Sequence, residues 1–333
     1  MDRSQHPAPV PRTGGLVARI DLAQRRHGLL GFPWAVCCKY LDDQGPRLAA
    51  LMTYYGFLSL FPLMLLAMTA LTEILRGHPE LQRQMLDRLV RPGLQADVEH
   101  ALAQLPPSGV PLVIGLVSLL FAGTGGVLAL DAALNTMWDV PWRDRHGVVR
   151  RYAGVCLVLI LAFTIAALAA GSAVVTESVL RLPLVQRGAT AAGTVLALFA
   201  VLCAAHKVLV GRPVRWRDLA IGGLVGAAAV TVLLHAAASV LPTLVERAGP
   251  VYGSFATVVG VFTVLYLFSQ ALVLSVEISV VRTFRLSPRG LTVAAVTAAD
   301  RRALTLLARR QARVPGQDIT TTFPPDRDDQ PER

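Results

Sequence analysis

The chain has 333 residues, of which 53% are hydrophobic and only 16% charged, and its mean hydropathy is +0.52. That is too apolar for an ordinary soluble domain of this length. The formal net charge of +10 and a pI of about 10.2 would suggest nucleic acid in a soluble chain; in an apolar one, basic residues instead hold loops on one side of a membrane.

The first 47 residues are basic, and their longest apolar stretch, Gly28 to Cys38, is short, contains Pro33 and lacks a convincing cleavage site. Membrane targeting is therefore expected from the first spanning helix rather than from a cleaved signal. "GLVARIDLAQRRHGLL" sets Leu16, Ile20, Ala23 and Leu30 along one helical face with arginines opposite, and "FPWAVCCKYL" adds Trp34 and Tyr40 as interface residues. The pattern predicts an amphipathic helix on the cytoplasmic membrane surface; a helix packed against the bundle is the alternative.

Six apolar runs then approach the roughly 20 residues a bilayer requires. They are Leu48 to Thr72, Val110 to Leu130, Tyr152 to Thr176, Ala189 to Ala205, Leu219 to Val245 (broken only by His235) and Val251 to Val276. Of the 32 Lys and Arg, 25 fall in the N-terminal segment, the loops after the second and fourth runs, and the tail after the sixth. The positive-inside rule puts those segments, and both termini, in the cytoplasm. Nucleic-acid binding is then not needed to explain the charge. The only long external loop, Leu75 to Gly109, carries two short amphipathic patterns. In the tail, "TAADRRALTLLARRQAR" predicts a basic helix, and the Pro- and Asp-rich stretch after Val314 is expected to be disordered.

Within the first run, "TYYGFLSLFPLMLL" interrupts apolar helix with hydroxyls and a proline. Tyr55 and Ser59 stand four residues apart and share a face with an inward direction; Tyr54 adjoins them. Pro62 removes the hydrogen bond to the carbonyl of Leu58, so a kink is expected. Asp131 and Asn135 share a face at the end of the second run, His235 lies inside the fifth, and Glu277 ends the sixth. Polar groups at membrane depth are costly and tend to face the bundle or a wet cavity. Asp131 and Glu277 are expected to bind a cation or to pair with Arg143, Arg150 or Arg215. Gly222 and Gly226, at GxxxG spacing, predict close helix contact, as do the glycines of "FAGTGG".

Catalytic motifs are absent from the sequence: there is no GxxxxGK, GxGxxG, HExxH or GxSxG, and the histidines are scattered singly. The four cysteines form no CxxC pair and read as small buried hydrophobes. No cofactor, metal or catalytic residue is expected.

Three ordered stretches resemble the YihY/BrkB family of inner-membrane proteins, once labelled ribonuclease BN. "RLAALMTYYGFLSLFPLMLL" resembles its first-helix signature, "GRPVRWRDLAIGGLVGAA" its basic loop and fifth helix, and "VYGSFATVVGVFTVLYLFSQALVLSVEIS" its final helix, with Tyr252 and Gly253 at the start and Glu277 at the acidic end. The sequence departs at "FSQ", where a tryptophan-rich run is usual. The resemblance implies six transmembrane helices in a bacterial inner membrane and links to envelope integrity, serum resistance and lipid traffic; it brings no catalytic residues.

The expectation is an all-α polytopic membrane protein: a cytoplasmic segment with an interfacial helix (1–47), a six-helix transmembrane domain (48–286), and a cytoplasmic basic helix with a disordered tail (287–333). It is expected to move or sense a lipid-like amphiphile in envelope maintenance. The alternative is a structural or regulatory partner of envelope proteins. Tyr54, Tyr55, Ser59, Pro62, Asp131, Asn135, His235 and Glu277 are the candidate polar site, and membrane lipids the expected partners.

Overall fold

The computed structural model describes residues 15, 19, 21, 24, 28–77, 109–154, 156–158, 183–291 and 296–323. Every regular element among them is helical. In chain order these are α1 (Gly28–Asp42), α2 (Gly45–Gly77), α3 (Gly109–Met137), a 3-10 turn (Trp142–Asp144), α4 (148–154 and 156–158), α5 (Pro183–Leu209), α6 (Trp216–Thr283) and α7 (Ala298–Arg309). Among the described residues three stretches are long and apolar enough to cross a membrane: Ala192–Leu209, Trp216–Ala237 and Phe255–Thr283.

Two compact units divide the chain. The first comprises Met1–Ala49, Asp131–Val240 and Leu267–Arg333; the second comprises Ala50–Leu130 and Leu241–Tyr266.

The fifth and sixth apolar runs were expected as two helices. Helical backbone instead continues from Trp216 to Thr283, 68 residues. A straight helix of that length would extend about 100 Å and keep Gly222 far from Ser279. Yet a Cβ on Gly222 would collide with Ser279, and one on Gly226 would stand 2.5 Å from Ser275 Cβ. Both pairs are equidistant from residues 250 and 251, so α6 folds back on itself there as a helical hairpin with antiparallel arms. That is where "AGPVYG" supplies Pro250 between two glycines, residues that permit a sharp bend. The GxxxG pair does what small residues do in such helices: it lets two backbones approach closely.

Helix ends are set by local chemistry. At the end of α3, Asp139 N donates to Thr136 O at 3.1 Å and Val140 N to Asn135 O at 2.9 Å, the paired bonds of a Schellman cap. Asp139 takes the left-handed position of that cap (φ 49°). The last turn of α6 ends the same way, with Arg285 at φ 53° and Leu286 N donating to Val281 O at 2.9 Å. At α7, the Thr297 hydroxyl accepts from Asp300 N at 3.1 Å while the Asp300 carboxylate accepts from Thr297 N at 2.9 Å, a reciprocal capping box.

Several expectations change. α1 runs through Pro33 and buries Ala35, Val36 and Lys39; Leu16, Ile20 and Ala23, on whose pattern the surface helix was expected, lie outside the described residues. Tyr40, read as an interface residue, turns inward to hydrogen-bond Gln270. Asp21 and Gln24 are helical and buried; Asp21 accepts from Leu291 N at 2.9 Å and Gln24 donates to Arg289 O at 2.7 Å. Of the cysteines only Cys203 is buried; Cys37 and Cys156 are exposed. Residues 315–323, expected to be disordered, hold contacts: the Thr321 hydroxyl lies 2.9 Å from that of Thr305, and Phe323 lies under the Arg301 guanidinium. The two patterns of the external loop, most of the third run and the last ten residues lie outside the described residues.

Candidate functional site

The first unit contains a group of charged side chains almost fully withdrawn from solvent. Lys39, in the last turn of α1, is 0% exposed. Its ammonium pairs with Asp43 one turn on, stands 3.1 Å from Asp139 Oδ2 and donates to Met137 O at 3.2 Å. Arg310, just past α7, closes the circuit. Its Nη1 lies 2.6 Å from Asp43 Oδ1 and 3.5 Å from Asp139 Oδ1, and donates to Thr136 O at 2.9 Å. Two cations and two carboxylates thus form a neutral ring joining α1, the end of α3 and the C-terminal segment.

Glu277 is the fifth member and the odd one. It is 0% exposed, its charged neighbours are Lys39, Asp43 and Asp139, and its carboxyl lies against that of Asp43. No N–H or O–H of the described residues donates to either of its oxygens as carboxylates. A carboxyl–carboxyl contact becomes a hydrogen bond only when one partner carries a proton.

Burial sets the electrostatics. It alone would lower the Lys39 ammonium, but the negative neighbours Glu277, Asp139 and Asp43 outweigh it and hold Lys39 above its ordinary value. Burial pushes the Asp139 carboxyl up to about 6, with the charge of Asp43 adding to the push and Lys39 and Arg310 opposing it. Buried charges are tolerated where they are paired and hydrogen-bonded; Lys39, Asp43 and Arg310 are both, whereas Asp139 is ion-paired to Lys39 and Arg310 but neither of its oxygens has a hydrogen-bond partner among the described residues.

The sequence-derived candidates are distributed differently. Asp131 pairs with Arg151, at 2.8 Å, and not with Arg143, Arg150 or Arg215. Asn135 is a saturated staple: its amide donates to Asp131 O at 2.8 Å and Leu209 O at 3.0 Å, and its Oδ1 accepts from Gly211 N at 2.9 Å. It ties α3 to the loop after α5. That loop approaches so closely that a Cβ on Gly211 would stand 2.7 Å from Asp144 O. His235 is exposed, and its Nδ1 returns to Thr231 O of its own helix at 2.8 Å, so it bonds within a helix and not between helices. Only Glu277 joins the ring.

The aromatic stretch belongs to the second unit. Tyr54 is 53% exposed and sits edge-on to Tyr55. The Tyr55 ring covers Gly125, where a Cβ would stand 2.6 Å from it. Ser59 donates to Gly56 O at 2.8 Å, and Pro62 is buried within a helix that continues past it.

Lys39, Asp43, Asp139 and Arg310 were not singled out from the sequence. One signal was available: Ala35, Lys39 and Asp43 fall at four-residue spacing, so the chain's rare lysine lies on the same helical stripe as its buried alanine and its partner acid. Asp139 and Arg310 sit at helix ends, where charge reads as solvated loop. Among the described residues no group of three His, Cys, Asp or Glu is arranged to hold a metal ion.

Long apolar helices and charged side chains withdrawn from solvent are the marks of a helical membrane protein. The chain belongs to the virulence factor BrkB family, whose model matches residues 36–295. That span includes Lys39, Asp43, Asp139 and Glu277 and stops short of Arg310. Comparison with curated proteins and with solved structures found no match.

Proposed function

We propose that this is a six-span, non-enzymatic protein of the bacterial cytoplasmic membrane that moves or senses a lipid-like amphiphile, with both termini in the cytoplasm. The observation that carries the reading is Glu277, a buried carboxyl without a donor beside a ring of ion pairs. Ionisable groups are expensive at membrane depth, and where they occur they mark pathways and switches more often than glue. The orientation is supported by the convergence of the basic segments: the N-terminal helix, the loops after α3 and α5, and the C-terminal segment all belong to one unit.

A regulatory role toward other envelope proteins is the second reading. It is favoured by Arg310, which brings the C-terminal segment into the ring.

Liposomes carrying the purified protein and a panel of labelled phospholipids test the first reading. Transfer between leaflets, or a lipid-dependent change in protein stability, is expected for the native chain and should be lost with Glu277→Gln while insertion is retained. Neither effect with any lipid would exclude it.

A further inference from the structure

The segment after α7 folds back on the loop that leaves α3. Trp142 N donates to Arg310 O at 3.3 Å and Arg143 N to Ala312 O at 3.1 Å; the Arg143 guanidinium reaches the carbonyl of Gln317. The turn between is built firmly. Gln317 Oε1 accepts from Arg313 N at 2.7 Å, and Gly316 takes φ 82°. Between loop and segment lies a cavity of about 330 Å³, within the range of small-ligand sites.

Its lining is chemically divided. Arg143 and Arg309 bring guanidinium groups, Asp318 a carboxylate, and Pro141, Ala312 and Ile319 apolar walls. Among the described residues the Arg309 side chain has no hydrogen-bond or ion-pair partner. Two guanidiniums match the geometry of phosphate oxygens. Asp318 disfavours a bare phosphate dianion but accepts from an ammonium or hydroxyl placed beyond the phosphate. The depth is marked by Trp142, which is 51% exposed just past the end of apolar α3 and carries the Arg145 guanidinium 3.9 Å from its ring. An exposed tryptophan just past the end of a long apolar helix fits the membrane–water boundary.

We propose that this cavity binds a phospholipid headgroup in which the phosphodiester is followed by a hydrogen-bond donor, as in ethanolamine and glycerol headgroups. The proposal deepens the amphiphile reading and rests on it for the lipid source. A soluble phosphodiester would present the same chemistry without the chains.

Isothermal titration of the full-length chain in detergent separates these. The probes are short-chain phosphatidylethanolamine, phosphatidylglycerol and phosphatidylcholine, and chainless glycerophosphoethanolamine. The ethanolamine and glycerol lipids should bind, with the choline lipid, which lacks a donor, about tenfold weaker. Arg309→Gln should weaken binding about tenfold, and Asp318→Asn should remove the preference over choline. Both residues are exposed, so an unchanged melting temperature is expected for each variant. Unaltered affinity in Arg309→Gln, or equal binding of the choline lipid by the native chain, would overturn the site. Equal binding of the chainless diester would overturn the lipid and leave a soluble ligand. Loss of lipid movement in liposomes with binding intact would count against transport and not against the cavity.

Discussion

Lys39 Nζ stands 3.1 Å from Asp139 Oδ2, with both side chains essentially out of solvent, and so the end of α1 is bolted to the end of α3. Asp139 holds a left-handed backbone position there (φ 49°), a conformation costing an L-residue about 1 to 2 kcal/mol that aspartate tolerates better than most. Glycine would relieve the backbone but surrender the carboxylate.

Breaking the ring at one member should therefore be worse than removing it. Lys39→Met leaves Asp43, Asp139 and Glu277 facing one another, and loss of one partner from a buried pair costs about 3 to 5 kcal/mol. Lys39→Met combined with Asp43→Leu, Asp139→Asn and Arg310→Met, which leaves no ring charge unpaired, should recover much of that stability. Thermal unfolding in detergent of the single and quadruple variants checks this. A quadruple variant as unstable as the single one would show that packing, and not charge, sets the penalty.

The raised Asp139 carboxyl predicts a pH dependence of defined sign. With its folded value near 6 against about 3.9 unfolded, the folded state holds the proton more tightly. Stability therefore declines as pH rises from about 4 to about 6, and the penalty is complete above that window. Asp139→Asn should flatten this part of the profile. Melting temperatures from pH 4 to 8 for both proteins provide the measurement, and identical slopes would remove Asp139 as the titrating group.

Much of the helical layout was legible because long uncharged runs have few alternatives. The first, second and fourth runs fall inside α2, α3 and α5, and the close approach signalled by Gly222 and Gly226 is present. Boundaries shifted where a helix could extend into polar sequence: α2 begins at Gly45 and α3 reaches Met137. The ring was largely illegible. Its members lie in four separate segments, and only the Lys39–Asp43 spacing is local; the approach of Asp139, Glu277 and Arg310 depends on how helix ends meet, which no periodicity encodes. Asn135 and Asp131 were legible as polar, but a polar residue that staples and one that works carry the same sequence signature.

The stretch after Val314 was expected to be disordered, yet the C-terminal segment is tied into the first unit from Arg310 to Gln317. Arg310 supplies two ion pairs, and residues 310–317 bond to Trp142 and Arg143. A chain ending at Phe323 should match the full-length protein in melting temperature. One ending at Arg309 should lose several degrees, since buried Asp43 and Asp139 then lose a partner. Equal stability of the two truncations would mean that the segment rests on the protein without supporting it.

Tyr55 and Gly125 make the case for the aromatic stretch a separable one. The Tyr55 ring occupies the space that a side chain at 125 would need, with a Cβ there 2.6 Å from the ring. Gly125→Ala must displace the ring and should cost about 1 to 3 kcal/mol, the usual penalty of overpacking. Tyr55→Phe keeps the ring and its contact with Gly125 and removes only the hydroxyl. If the ring is packing alone, Tyr55→Phe should leave stability and activity as they are, while Gly125→Ala lowers the melting temperature. If the hydroxyl belongs to a working surface, Tyr55→Phe should reduce lipid movement in liposomes with no change in melting. Ser59→Ala is the control on the same face: its hydroxyl donates to Gly56 O within its own helix, so its loss should change stability by no more than about 1 kcal/mol. Retained lipid movement in both Tyr55→Phe and Ser59→Ala would remove the aromatic stretch from the proposed lipid path, and loss in Tyr55→Phe alone would keep Tyr55 in it.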